Sequence, residues 1–314
     1  MRIFIRYILD YFREGFNLWS HMALAVFLSF AIYINYTYNI HRTITYKYRD
    51  QYESVVYILV LYLMAFFVAT AVISIFRNTN KKLRDTPIAN GRFLLFGILG
   101  LILLSFDSSY YFMQFIRGSY HENYYVSRWI HSCVSNLGSF ATVIVPLYLI
   151  YAVVRHFKPE LYGLKLNGAN VKPYLWMTLF MMPLIYVASF QPDFLETYPT
   201  YTNYHEYRFL GTAQWVTAGI YELCYGFDFL SVELFFRGFM VVALSKFVGR
   251  EAILPMVAVY CFLHFGKPMS ETISSIFGGY ILGILAYSSR NIYGGLIAHL
   301  GVAWGMEYMA FLHT

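Results

Sequence analysis

Nine stretches of this chain, at about 18–37, 54–76, 93–115, 129–154, 174–190, 212–247, 252–266, 270–288 and 292–312, are apolar along most of their length. A helix needs roughly 20 apolar residues to cross the hydrocarbon core of a bilayer. Backbone that enters lipid must also satisfy its own hydrogen bonds, which leaves helices or closed barrels. The expected fold is therefore all-α, a polytopic membrane protein with a bundle of eight or nine transmembrane helices. The count carries that margin because the third stretch contains Asp107 and Ser108 and the seventh is short. The 212–247 stretch is too long for one simple crossing, so it is expected to begin outside the membrane or to tilt strongly.

Composition agrees with a bilayer as the solvent. The chain is 59% hydrophobic and 13% charged, about half the charged share of an ordinary soluble domain, and its mean hydropathy is +0.50. The net charge of +6 does not point to nucleic acid, because the basic residues sit in short connections between apolar stretches. There they act as topology determinants. Arg77, Lys81, Lys82, Arg84 and Arg92 in one connection, and Arg155, Lys158, Lys165 and Lys172 in another, are expected on the cytoplasmic side. The acidic, tyrosine-rich segment 191–208 is expected outside, while Arg42, Lys47 and Arg49 run against the pattern.

Many of the 31 tyrosines lie at the ends of the stretches, where aromatic side chains settle at the membrane interface. The N-terminal segment, with Arg2, Arg6 and Arg13 among Ile, Phe, Tyr and Leu, reads as an interfacial amphipathic helix and not as a cleaved signal peptide. The expected location is the bacterial inner (plasma) membrane, N-terminus cytoplasmic. Cys133, Cys224 and Cys261 lie in or beside apolar stretches and suggest no disulfide framework.

Against this background the ionisable residues of the last hundred positions stand out. Glu233, Arg237, His264 and His299 interrupt otherwise apolar sequence, at roughly 3 kcal/mol each on insertion scales. In the segment from Tyr221 to Phe239, Glu222, Gly226, Phe229, Glu233 and Arg237 share one helical face. Glu233 and Arg237 form an acid-first i,i+4 pair whose mutual charge offsets part of the desolvation cost. Asp228 lies off that face, flanked by Phe227 and Phe229, a setting that suits general acid or base chemistry. His299 has Glu307 two turns later on its own face. Ser275, Gly279 and Gly283, at steps of four, read as a helix-packing face without a chemical role.

At these residues the chain resembles the CAAX-protease and bacteriocin-processing (CPBP, or Abi) family of intramembrane endopeptidases. That family carries Glu-Glu-x-x-x-Arg, then Phe-x-x-x-His, then His-x-x-x-Asn on successive helices. Here the matching stretches run from Val232-Glu233 to Arg237, from Tyr260 to His264 and from His299 to Ala303. The resemblance covers residues from about 222 to 307, and divides the chain into 1–210, an amphipathic N-terminus with variable transmembrane helices, and 211–314, a CAAX-protease-like core. It implies hydrolysis of a peptide bond in or near the membrane. The partners would be a membrane-associated peptide or protein substrate, entering laterally or from the cytoplasmic face, and the lipid bilayer. No nucleic acid and no cofactor are implied.

The resemblance places Glu233 and Arg237 as an orienting pair, and His264 and His299 as water-orienting or oxyanion-stabilising groups. Two positions depart from it. The first glutamate, the family's general base, is Val232, and the asparagine is Ala303. Asp228 is one turn before Val232, about 40° from its azimuth and about 6 Å along the axis, and is the candidate replacement base. Glu222 and Glu307 are possible accessory acids. The alternative is a catalytically inactive family member acting as a membrane binding or scaffolding protein. A zinc site drawn from His131, His264, His299 and Glu233 or Asp228 is a further alternative, as is haem held by the histidines.

Overall fold

The computed structural model describes residues 2–13, 16–49, 51–76, 86–116, 118, 120–154, 157, 161–165 and 171–313. Among these the chain is helical, with no strand. Ten helices carry the architecture: α1 Arg2–Arg13, α2 Leu18–Tyr38, α3 Tyr52–Phe76, α4 Gly91–Ser108, α5 Tyr124–Val153, α6 Lys172–Ala188, α7 Gln214–Glu233, α8 Ile253–Leu263, α9 Met269–Ser289 and α10 Tyr293–Phe311. Asparagines open three of them. The side chains of Asn17, Asn90 and Asn123 accept hydrogen bonds from backbone N–H groups in the first turns of α2, α4 and α5.

By length and hydropathy, five of the described helices can cross a membrane: α2, α3, α4, α5 and α9. The sequence expectation of eight or nine is not reached on that criterion, for a physical reason. The helices it passes over are short, as in the 11-residue α8, or carry polar groups, as α7 does with Glu222, Asp228 and Glu233 and α10 with His299 and Glu307. Within the 212–247 stretch, α7 runs directly into ten residues of wide π-type turns, Leu234–Ala243, every one of them buried.

This π segment is the axis of the bundle. Phe235, Phe236, Phe239, Met240 and Val241 are at most 1% exposed and pack with residues of α3, α4 and α8 into the main core. Small residues set the close crossings. A Cβ on Gly100 of α4 would stand 2.5 Å from the Phe239 ring, and one on Gly294 of α10 would stand 2.0 Å from the Tyr174 ring of α6. The Gly279 and Gly283 face of α9 meets Tyr260 and Met256 of α8, in keeping with its packing role.

Side-chain tethers tie each end of the bundle together. At the end that carries α1, Asn90 Nδ2 donates to the Phe247 carbonyl (3.1 Å), Arg290 Nη1 to the Val242 carbonyl (3.1 Å), and Arg250 Nη1 to the Tyr11 carbonyl (3.4 Å). At the opposite end, Asn35 Nδ2 donates to the Phe265 carbonyl (3.0 Å) and the Tyr36 hydroxyl to the Lys267 carbonyl (2.7 Å). Arg92, Lys165 and Lys172 of the basic connections are described; Arg77, Lys81, Lys82, Arg84, Arg155 and Lys158 lie outside the described residues. Cys133, Cys224 and Cys261 are free thiols.

The glycine contacts generate a paired prediction. Gly294→Val forces a side chain into the Tyr174 ring and is expected to cost about 1–3 kcal/mol by overpacking. Gly278→Ala, whose Cβ meets nothing within 4 Å, is expected to be neutral or to stabilise by up to about 1 kcal/mol through helix propensity. Thermal unfolding midpoints of the detergent-purified variants check both.

Candidate active site

The i,i+4 spacing read in the sequence survives across the junction between α7 and the π segment. Glu233 is the last residue of α7 and Arg237 lies one turn later. Arg237 Nη1 stands 2.9 Å from Glu233 Oε1, and the two side chains are 1% and 0% exposed. The same carboxylate oxygen accepts from His299 Nδ1 of α10 at 3.0 Å. Gly295, one turn before His299, makes room for this approach, since a Cβ there would stand 2.6 Å from Glu233 Oε2.

His299 is thereby fixed in tautomer. With Nδ1–H donated to the carboxylate, Nε2 carries the lone pair and accepts from the Tyr260 hydroxyl at 3.2 Å. Tyr260 is 4% exposed and its ring is held on several sides. The Arg237 guanidinium lies 4.4 Å from the ring centroid, Phe236 packs edge-on at 4.8 Å and His264 at 4.5 Å. A guanidinium over an aromatic face is a favourable cation–π contact, stronger when desolvated. Phe229 closes the wall with its ring 4.6 Å from His299.

His264 follows α8 directly, where the helix ends. Its Nδ1 donates to the Tyr260 carbonyl at 2.7 Å, which leaves Nε2 as an acceptor. The titratable groups facing it are Glu271, His299 and Lys267. The Tyr198 hydroxyl donates to Glu271 Oε2 at 2.9 Å, and Lys267 Nζ is 3.4 Å from the same hydroxyl. Burial, and then the Glu271 carboxylate, holds the Tyr198 phenol well above the usual tyrosine range. The 198–206 segment is anchored in the same way, with the Tyr201 hydroxyl on Glu206 Oε1 at 2.6 Å.

The residues singled out in the sequence divide into two groups. Glu233, Arg237, His264 and His299 converge around Tyr260. Asp228 faces α5 and α4: its hydrogen-bond partner is Ser139, whose hydroxyl also bonds Ser231 (2.9 Å), and the Asp107 carboxyl, itself bonded by Thr142, is its charged neighbour. His299 and Lys267 act on Asp228 electrostatically. Glu307 accepts from the Thr200 backbone N–H and hydroxyl (2.9 and 2.8 Å), which anchors the segment after α6, and Glu222 is its electrostatic neighbour. Val232 packs against the main core, and Ala303 is fully buried against Cys133, Tyr221 and Tyr225.

Two participants are missing from the sequence reading. Tyr260 looks like a conservative variant of the family's phenylalanine, and its hydroxyl was the available signal. Asp107 registers in sequence only as an interruption of a span, although a lone acid in apolar sequence is itself a marker. The zinc arrangement does not assemble: among the described residues no three His, Cys, Asp or Glu side chains converge to hold a metal. His131 lies apart, at a surface cavity of about 400 Å³ with Tyr120, Tyr124 and Arg128. Both nitrogens of His299 and one oxygen of Glu233 are already engaged.

Residues 210–305 match a family model described as Rce1-like, type II CAAX prenyl endopeptidase Rce1-like. This stretch is a CAAX-protease-type domain. The match spans all three motifs and with them Glu233, Arg237, Tyr260, His264 and His299. No curated protein and no solved structure matches the chain. The CAAX-protease-type domain thus keeps the second glutamate, the arginine and both histidines of the family pattern in one connected network, with an apolar residue at each of the two departing positions.

The shared carboxylate generates a stability prediction. Arg237→Met strands a fully buried carboxylate and is expected to destabilise by about 3–5 kcal/mol. Arg237→Met combined with Glu233→Leu, which removes both charges, is expected to recover most of that. Thermal midpoints in detergent of Arg237→Met, Glu233→Leu and the double variant measure the coupling; a double-variant loss equal to the sum of the two single losses would show that the pair is not coupled.

Proposed function

We propose that the protein is an active intramembrane endopeptidase that hydrolyses a peptide bond of a membrane-associated peptide or protein. The observation that carries this reading is the chain of contacts from Arg237 through Glu233 to His299 and Tyr260. A bare scaffold has no need to hold a histidine in a single tautomer on a fully buried carboxylate. In this reading Arg237 and Glu233 orient His299, and His264, whose Nε2 is left as an acceptor, orients water. Asp228 is an accessory acid approached from the α5 side, with Glu222 and Glu307 further out. Residues 211–314 form the catalytic core and residues 1–210 its casing, and the helices beyond the five that meet the length criterion also cross the bilayer.

The sidedness follows from charge. Among the described residues, the end of the bundle with α1 carries Arg2, Arg6, Arg13, Arg92, Lys165, Lys172, Lys246, Arg250 and Arg290. The opposite end has fewer among the described residues, with Arg42, Lys47, Arg49, Arg128, Arg208 and Lys267. The positive-inside rule then puts the N-terminus in the cytoplasm of a plasma membrane. Polar groups continue from the site toward the opposite end, through Lys267, Glu271, Tyr198 and Asp228, whereas the part of the π segment beyond Arg237, from Gly238 to Ala243, is apolar and buried. Substrate therefore reaches the site from the bilayer or the extracytoplasmic face, which replaces the cytoplasmic entry expected from sequence.

Two measurements test these statements. In vesicles, cleavage of a quenched fluorescent membrane-anchored peptide is expected to fall at least about 100-fold in His264→Ala and in His299→Ala, the scale of a lost acid–base group, and about tenfold in Asp228→Asn. Unchanged cleavage in both histidine variants removes this site as the catalytic one. For sidedness, Tyr204→Cys is expected to react with a membrane-impermeant maleimide on intact cells, and Lys246→Cys only after permeabilisation; the reverse pattern inverts the topology.

A further inference from the structure

We propose that Tyr260 is a catalytic residue, and that the attacking water loses its proton through the Tyr260 hydroxyl to His299, in place of the glutamate whose position Val232 occupies. The proposal rests on the peptidase reading above and specifies the base that reading lacks.

Three contacts in series define the path. The Tyr260 hydroxyl is 3.2 Å from His299 Nε2, His299 Nδ1 is 3.0 Å from Glu233 Oε1, and that oxygen is 2.9 Å from Arg237 Nη1. A hydroxyl, an imidazole and an orienting carboxylate in hydrogen-bond sequence are the pattern by which a weakly acidic O–H becomes reactive. Direction is unambiguous. Because Nδ1–H is committed to the carboxylate, Nε2 receives the Tyr260 proton, and the phenolic oxygen keeps lone pairs to accept from water.

The alternatives have weaker geometry. Proton uptake leaves a positive imidazolium that needs a carboxylate partner. His299 has Glu233 at 3.0 Å, whereas the hydrogen-bond partner of His264 Nδ1 is the backbone carbonyl of Tyr260. Asp228 accepts its hydrogen bond from Ser139. The Tyr260 ring is also confined, with Arg237 over one face, Phe236 and His264 at its edges, and Gly279 admitting it where a Cβ would come within 2.9 Å. A ring so held keeps its hydroxyl at His299 without an entropic cost at the moment of reaction.

Water donates a proton to the Tyr260 oxygen as Tyr260 passes its own proton to His299 Nε2. The water oxygen bonds to the scissile carbonyl carbon, and the π electrons move to the carbonyl oxygen. When the tetrahedral intermediate collapses, the C–N bond breaks, and the proton returns from His299 through Tyr260 to the departing amine. No metal, oxidant or other co-reactant enters.

The test uses the full-length protein in vesicles with the same peptide, and Tyr260→Phe, which keeps the ring and removes the hydroxyl. The expected result is a kcat at least 100-fold lower with KM within about threefold, the range for loss of a positioned proton acceptor. Adding Val232→Glu to Tyr260→Phe restores the family's own residues at both positions, and is expected to recover much of the lost kcat. A Tyr260→Phe protein with undiminished kcat overturns the proposal while the peptidase reading stands. The second readout is independent of turnover: nitrogen NMR of labelled histidine is expected to show His299 protonated at Nδ1, with an Nε2 resonance that moves in Tyr260→Phe. Protonation at Nε2 in the unmodified protein overturns the proton path. A protein with the expected tautomer that cleaves no membrane peptide overturns both the peptidase reading and the catalytic role of Tyr260.

Discussion

One carboxylate oxygen organises this protein. Glu233 Oε1 is shared by a guanidinium and an imidazole from two different elements, at 2.9 and 3.0 Å, where no solvent reaches. Ionised groups in such a place are tolerable only when each neutralises or hydrogen-bonds another. The helices that supply them must therefore arrive together. The π segment brings Arg237 onto the face of Tyr260, Gly295 lets α10 close on Glu233, and Gly279 lets α9 close on Tyr260. The apolar core around Phe235, Phe236 and Phe239 supplies the bulk of the burial, but the carboxylate decides which helix faces meet.

Much of this was legible in the sequence. The apolar stretches anticipated the helices to within a few residues over most of the chain, because the length of an apolar run is a direct reading of bilayer thickness. Glu233, Arg237, His264 and His299 were identifiable because their cost in lipid is high and their spacing is regular. The span count departs for the same reason: α7 carries Glu222, Asp228 and Glu233 and α10 carries His299 and Glu307, and polarity is what a hydropathy criterion penalises.

What remained hidden depended on approach between helices, which spacing along one helix does not encode. Asp228 and Val232 do point in similar directions, yet Asp228 is claimed by Ser139 on α5. Glu307 shares a face with His299, yet it binds Thr200 at the rim. Tyr260 stands where the family pattern has phenylalanine, and the ring alone satisfies the packing. Its hydroxyl acquires meaning only beside His299 Nε2. In each case the type of residue was informative, and its partner was supplied by the fold.

The tethers between α2 and the segment after His264 reach beyond the site. Asn35 and Tyr36 hold the carbonyls of Phe265 and Lys267, and Tyr36 also meets the Thr272 hydroxyl, itself bonded to the His264 carbonyl. Asn35 and Tyr36 lie far outside residues 210–305. The segment that matches the family model is thus not self-sufficient in its hydrogen bonding: excised, it would leave the Phe265 and Lys267 carbonyls without these partners, beside one of its own histidines. Descent and foldability have different boundaries in this chain, and the first helix across the membrane belongs to the second.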